Sequence, residues 1–194
     1  HLSIRRQRQM CIRDSLNTGP DLTGYDVFVN NTVSLSYAGL SSKGRNALQG
    51  FFDAGGDYVG LGRDGADLAA ELGFMEFAEY NPPGNSIARV DMAAGDPIAA
   101  GFGEQGYVFV NSAALFSELG DGVEIAASLL NNEDFFVSGY WPGWQESGAY
   151  GAAVAIHKTA GIQDMTLIGF DALFRAHPEN GFRMVANAIY DGLD

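Results

Sequence analysis

Residues 41–74, SSKGRNALQGFFDAGGDYVGLGRDGADLAAELGF, constrain the fold more than any other stretch of this chain. They read as helix, glycine turn, short buried strand, tight glycine turn and second helix. Ala47, Leu48, Phe51 and Phe52 recur at helical spacing and so share one face. Ser41 or Ser42 can cap the first turn, and Gly55 suits the left-handed position past the end of the helix. Tyr58-Val59-Gly60-Leu61 is a short apolar run bounded by glycines, the pattern of a strand covered on both faces. Gly62-Arg63-Asp64-Gly65 then turns into a helix carrying Leu68 and Leu72 and closed by Gly73. A strand that stops at such a turn and feeds a helix is where open α/β sheets place their sites. Here the turn carries no nucleophile.

The rest of the chain supplies mainly strands. Apolar or alternating runs predict a strand running into a loop over 26–35, and strands at 87–92, 107–110, 123–130, 135–140, 152–157 and 165–170. Residues 76–86 read as a loop around Asn81-Pro82-Pro83-Gly84, and Gly95-Asp96-Pro97 begins a turn. Residues 180–192 read as a closing helix with Phe182, Val185, Ala186 and Ile189 on one face. The order βαβα, a β-rich middle, then strand and helix predicts an α/β fold. Its sheet is expected to be mostly parallel, with helices on both faces and an antiparallel extension. A doubly wound sheet ordinarily opens with a strand and helix ahead of the one at 26–35. The expectation is therefore one domain over 16–194, truncated at its N-terminus, with an edge left exposed.

Composition narrows the function classes. At 46% hydrophobic and 18% charged residues, the chain is globular, and its 194 residues suffice for a sizeable core. No apolar run is long enough to span a membrane. A net charge of −13 argues against a nucleic-acid surface, since phosphates would be repelled. Residues 1–15, HLSIRRQRQMCIRDS, stand apart: they hold Arg5, Arg6, Arg8, Arg13 and the sole cysteine, Cys11, with no periodicity. The string RQRQMCIRDS resembles a translated sequencing-adapter artefact found at the ends of unrelated metagenomic reading frames, so it is set aside. Residues 16–194 contain no cysteine, hence no disulfide and no thiol chemistry of their own.

GYDVFV, SxxGRxALxxFxxxGGxYVGLG, GADLAAELG and MTLIGFDALFRAHPENGFRMVANAIY together resemble the flavodoxin-like domain of the class I glutamine amidotransferase superfamily. More narrowly, they resemble the C-terminal domain of bacterial zinc carboxypeptidases of the carboxypeptidase A type. The resemblance spans residues 24–193. It implies an accessory domain of a secreted, extracellular peptidase, with that peptidase domain upstream as its partner. Zinc would sit there and no cofactor here. In the amidotransferases a strand enters Gly-x-Cys-x-Gly, where the cysteine sits on a strained turn and is activated by a His-Glu pair. The matching stretch is Gly60-Leu61-Gly62-Arg63-Asp64, with Gly62 in the nucleophile's place. Glycine has no side chain to attack a carbonyl, which removes covalent acyl transfer by that route. His177-Pro178-Glu179 looks like the family's His-Pro-Glu but lies several residues too far downstream, beside the last helix. Glu179 and Asn180 also suit a helix start.

Other constellations carry less. A carboxypeptidase zinc site needs His-x-x-Glu and a distant second histidine; the segment has His157 and His177, and neither begins such a motif. Asp91, Asp96 and Glu104, with Asp64 and Asp67, lack the alternating spacing of a calcium loop. Gly60, Gly62 and Gly65 match a dinucleotide fingerprint by letter, yet Asp64 and Asp67 would oppose a phosphate and Arg63 alone would favour it. Trp141 and Trp144, with Tyr140 and Tyr150, can stack on a sugar or grip a peptide, or else pack over one end of the sheet. Arg175 can pair with a neighbouring carboxylate or hold that of a ligand. Gly62, Arg63, Trp144, Asp171 and Arg175 are the candidate ligand-binding residues. Three functions remain open: an accessory domain binding peptide, glycan or its own upstream domain; a hydrolase using Asp64, His177 and Glu179; and a flavodoxin-like small-ligand module.

Overall fold

Ser41 accepts a hydrogen bond from the Gly44 amide and so caps helix α1 (Ser42–Asp53). This comes from a computed structural model, which describes residues 13–31, 35–173 and 179–191. The helix buries Leu48, Phe51 and Phe52. Gly55, at φ +94°, reverses the chain into β2 (Asp57–Leu61), which is buried along its whole length. α2 (Gly62–Leu72) follows without a connecting residue and stops at Gly73 in the left-handed conformation.

β2 sits beside β1 (Val27–Asn31) and β10 (Gln163–Ile168), parallel to both. The sheet continues antiparallel through β9 (Ala153–Ala160), β7 (Glu124–Leu129), β4 (Asn85–Met92) and β5 (Gln105–Val110). β8 (Phe136–Tyr140) also pairs with β4, and β6 (Leu115–Ser117) joins β9 to β3 (Ala78–Tyr80). Parallel pairing thus joins the three strands next to the helices, and the antiparallel extension takes the others. Helix α3 (Glu179–Tyr190) closes the described chain.

The helices cover both faces, because β2 alternates. Tyr58 points to the side where Leu48, Phe52, Leu68 and Ala69 of α1 and α2 pack. Val59 and Leu61 point to the other, where Met184, Val185 and Ala188 of α3 pack with Ile168 and Phe170. Phe52, Tyr58 and Phe74 form an aromatic knot, with Phe52 and Phe74 edge to face at 4.7 Å. Phe52 and Tyr58 are buried, and full burial of a large apolar side chain contributes about 1.5–3 kcal/mol.

Four expectations need correction. Residues 76–86 are not all loop: β3 forms because β6 lies opposite it, and a three-residue strand has no periodicity of its own to read. β6 is a strand that no run in the sequence predicts. β9 runs on through Lys158, Thr159 and Ala160, past the strand expected at 152–157, and the turn begins at Gly161. On α3 the buried stripe is Gly181, Met184, Val185 and Ala188, and Phe182 is exposed. The helix approaches the sheet most closely at Gly181, where a Cβ would lie 2.4 Å from the Ala172 carbonyl oxygen, and this rotates Phe182 outward.

Candidate functional site

The turn at Gly62 has the geometry of a strand-to-helix elbow. Leu61 is extended, at φ −114° and ψ 132°, and Gly62 passes at once to φ +61°. That left-handed conformation is easy for glycine and strained for other residues. The elbow is tight because β2 and α2 touch through glycines: a Cβ on Gly65 would lie 2.5 Å from the Gly60 carbonyl carbon. Of the three glycines of the dinucleotide-like pattern, Gly60 and Gly65 serve close backbone approach and Gly62 the left-handed turn.

Two buried polar side chains hold the first turn of α2 from below. The Tyr58 hydroxyl donates to the Gly65 carbonyl at 2.8 Å, and Asn30 Nδ2 donates to the Asp64 carbonyl at 3.1 Å. Burial pushes the Tyr58 hydroxyl far above its ordinary range, so it remains a donor.

The Arg63 amide donates to the Ser112 carbonyl at 3.1 Å. Ser112 itself lies at φ +50°, a strained position for serine. In acyl-transfer sites built on such elbows, the amide after the nucleophile binds the oxyanion. Here that amide is already bonded.

Carboxylates surround the elbow. Asp64 is raised above its ordinary range, first by burial and then by Asp67, with Arg63 opposing. Glu79 on β3 is raised by burial and by Asp67, against a bond from Asn81 and the charge of Arg63. Its Oε1 is buried and has no hydrogen-bond partner among the described residues. Arg63 reaches Asp67 at 3.8 Å, but both side chains are more than half exposed, so the pair adds little stability. Glu79 escapes a reading of the sequence because it lies in a stretch that looks like loop; β3 pairing aims it at this cluster.

The other candidates divide by place. Asp171 leaves β10 at the same end of the sheet at which Gly62 leaves β2, and its amide bonds the Phe109 carbonyl. Trp144 lies in a 3-10 turn after β8, stacked on Phe136 at 4.9 Å and edge-on to Phe135 at 5.5 Å. β8 pairs with β4, and β7, β9 and β10 stand between β4 and β2. Trp141 is only 2% exposed, packed on Phe135 and Tyr80, so it takes the packing role. Arg175 and His177 lie outside the described residues, as does the side chain of Glu179.

Among the described residues no group of three or more His, Cys, Asp or Glu could hold a metal. Of the calcium candidates, Asp96 is occupied: Oδ1 accepts from the Ile98 and Ala99 amides, and Oδ2 bonds His157 at 2.8 Å. Asp91 bonds Gln105. No helix among the described residues is long and apolar enough to cross a membrane.

No family model and no curated protein matches the chain. Solved structures do. A GMP synthase-like protein from Thermoplasma acidophilum aligns over 100% of this chain and 89% of its own, with a TM-score of 0.60 at 14% identity. A ThuA-like protein from Bacteroides uniformis aligns over 89% and 72%, at 0.53 and 15%. A glutamine amidotransferase from Thermotoga maritima aligns over 90% and 81%, at 0.52 and 11%. At such identities the likeness speaks for the fold alone, and that fold is a flavodoxin-like α/β fold shared with these proteins.

Proposed function

We propose that this chain is a catalytically silent, amidotransferase-like accessory domain, acting by binding, docking or stabilising a larger protein. One observation carries the reading: the elbow keeps its backbone form while both of its chemical parts are gone. Gly62 offers no nucleophile, and the Arg63 amide is committed to Ser112. The motif resemblance extends the proposal to a parent: a secreted, zinc carboxypeptidase-like protein whose zinc lies in an upstream domain.

The raised carboxyl of Asp64 favours a rival, a hydrolase with a non-cysteine constellation on the same scaffold. Ammonia release from glutamine and hydrolysis of an activated ester separate the two. The expected result is no turnover above buffer for the protein as it stands. Gly62→Cys is expected to alkylate with iodoacetamide yet release no ammonia, because the oxyanion donor stays occupied. Turnover that disappears in Asp64→Asn would overturn the silent reading. The parent is tested by reading the genomic frame across Ser15 and Leu16: His-x-x-Glu and a later histidine upstream support it, and their absence removes it.

A further inference from the structure

β4 alternates along its length. Ser86, Ala88 and Val90 are buried, and Ala88 and Val90 enter the core with Val108 and Val110 of β5. Asn85, Ile87, Arg89 and Asp91 therefore share the opposite, outer face of the sheet. The register sets Tyr107 of β5 opposite Arg89 and Tyr140 of β8 opposite Asn85, so both rings belong to that face. They are 53% and 67% exposed.

Arg89 is the sole lysine or arginine in these three strands. Its side chain is half-buried, with the guanidinium carbon 5.6 Å from the centre of the Tyr107 ring, a cation–π contact that holds it on the face. No acceptor completes it. Nε is buried without a hydrogen-bond partner among the described residues, and no described carboxylate lies within ion-pair distance. Asp91, two residues along the same face, accepts from Gln105 at 2.9 Å instead. The chain has 24 acidic residues, yet this arginine is left without one. A guanidinium presents its N–H donors as a planar fork that matches a carboxylate, and a buried donor without an acceptor is costly.

We propose that this face docks an extended segment of a partner protein, anchored by a carboxylate on Arg89. Arg89 and Asn85 lie four residues apart on β4, about 14 Å of strand, so about five extended residues laid along β4 span the face. Alternate side chains of that segment meet the sheet. A glutamate or aspartate meets Arg89 beside Tyr107, an apolar side chain meets Ile87, and an aromatic one meets Tyr140. Tyrosine and arginine are the side chains on which protein interfaces most often depend, and Tyr107 positions Arg89 in advance. A small free acid fits less well, because an open face covers one side of it alone. So does a second copy of this chain, which brings a net charge of −13 against the same. The proposal deepens the docking role proposed above and rests on it. It uses no group of the Gly62 elbow, so turnover at the elbow would refute silence without touching this site, and failure here would leave the silent elbow standing.

The test titrates the peptide acetyl-Glu-Thr-Leu-Thr-Phe-amide into the whole chain labelled with nitrogen-15 arginine. The readout is the Arg89 Nε–H resonance, assigned by its loss in Arg89→Lys. That resonance should shift and saturate. The same peptide with glutamine for glutamate should bind at least about tenfold more weakly. Arg89→Gln, followed by peptide fluorescence anisotropy, should bind the two peptides equally. Tyr140→Ala should weaken both peptides severalfold and keep the preference for glutamate, since Tyr140 meets the far end of the segment. Circular dichroism and the melting temperature check that Arg89→Gln folds; should it fail, Tyr140→Ala, which alters an exposed ring, carries the test. A resonance that does not move overturns the proposal. So does equal binding of the two peptides by the wild type, a glutamate preference that survives Arg89→Gln, or binding that Tyr140→Ala leaves unchanged. So does a peptide-free shift that grows with protein concentration, which would make a second copy the occupant.

Discussion

Gly60 and Gly65 touch backbone to backbone, and α2 can lie this close to β2 only because neither carries a Cβ. Gly65→Ala would drive a methyl to 2.5 Å from the Gly60 carbonyl carbon, and no flexible side chain is there to yield. We expect Gly65→Ala to cost about 2–3 kcal/mol in urea unfolding, at the upper end for overpacking. Gly50→Ala, where a Cβ meets nothing within 4 Å inside α1, should be neutral or slightly stabilising.

The buried Asp57 carboxyl gives the fold a pH dependence. Burial raises it above its ordinary range, and Asp164, Asp26 and Asp191 add to the rise, against one bond from the Asp164 amide. A raised acid binds its proton more tightly when folded. Its contribution is therefore complete below the unfolded carboxylate range and is lost as pH climbs through the raised folded value. Melting temperatures of wild type and Asp57→Asn should lie closest at acidic pH, with wild type falling behind as pH rises toward neutral. Asparagine keeps an oxygen for the Asp164 amide. A gap that narrows with rising pH would contradict this.

Asp96 and His157 join two distant parts of the chain across 2.8 Å, with both side chains nearly buried. Asp96→Ala strips this partner from His157 and frees the Ile98 and Ala99 amides, so a loss of about 3–5 kcal/mol is expected. Asp96→Asn keeps an oxygen for the two amides and a neutral group for the imidazole. Its loss should be about 1 kcal/mol, read by the same unfolding curves.

Trp141 separates packing from recognition. Trp141→Ala should cost about 3–5 kcal/mol by cavity formation. Trp141→Phe should cost much less, because it keeps the ring contacts with Phe135 and Tyr80 and removes an indole N–H that has no partner among the described residues. Scanning calorimetry of the two variants checks the order.

Much of the scaffold is legible in the sequence. The 3.6-residue recurrence in α1, the glycine-bounded run of β2 and the Gly73 stop are local signals, and each survives folding because nothing distant opposes it. The elbow is legible for the same reason, since a strand meeting a helix at glycine is written in consecutive residues. β3 and β6 are not, because a three-residue strand exists only through its partner. The face of α3 is not, because Gly181 sets its rotation by touching Ala172. Glu79 stays hidden with β3, and Trp141 takes its packing role only through Phe135 and Tyr80, which lie against it.

Sequence alone therefore determined the α/β class, the strand–elbow–helix unit and the absence of a nucleophile at Gly62, all of which depend on residues adjacent in the chain. Tertiary structure decided that the Arg63 amide is spent on Ser112 and that Asp64 and Glu79 gather around the elbow. Those facts join residues tens of positions apart, and only packing brings such residues within hydrogen-bond or Coulomb range.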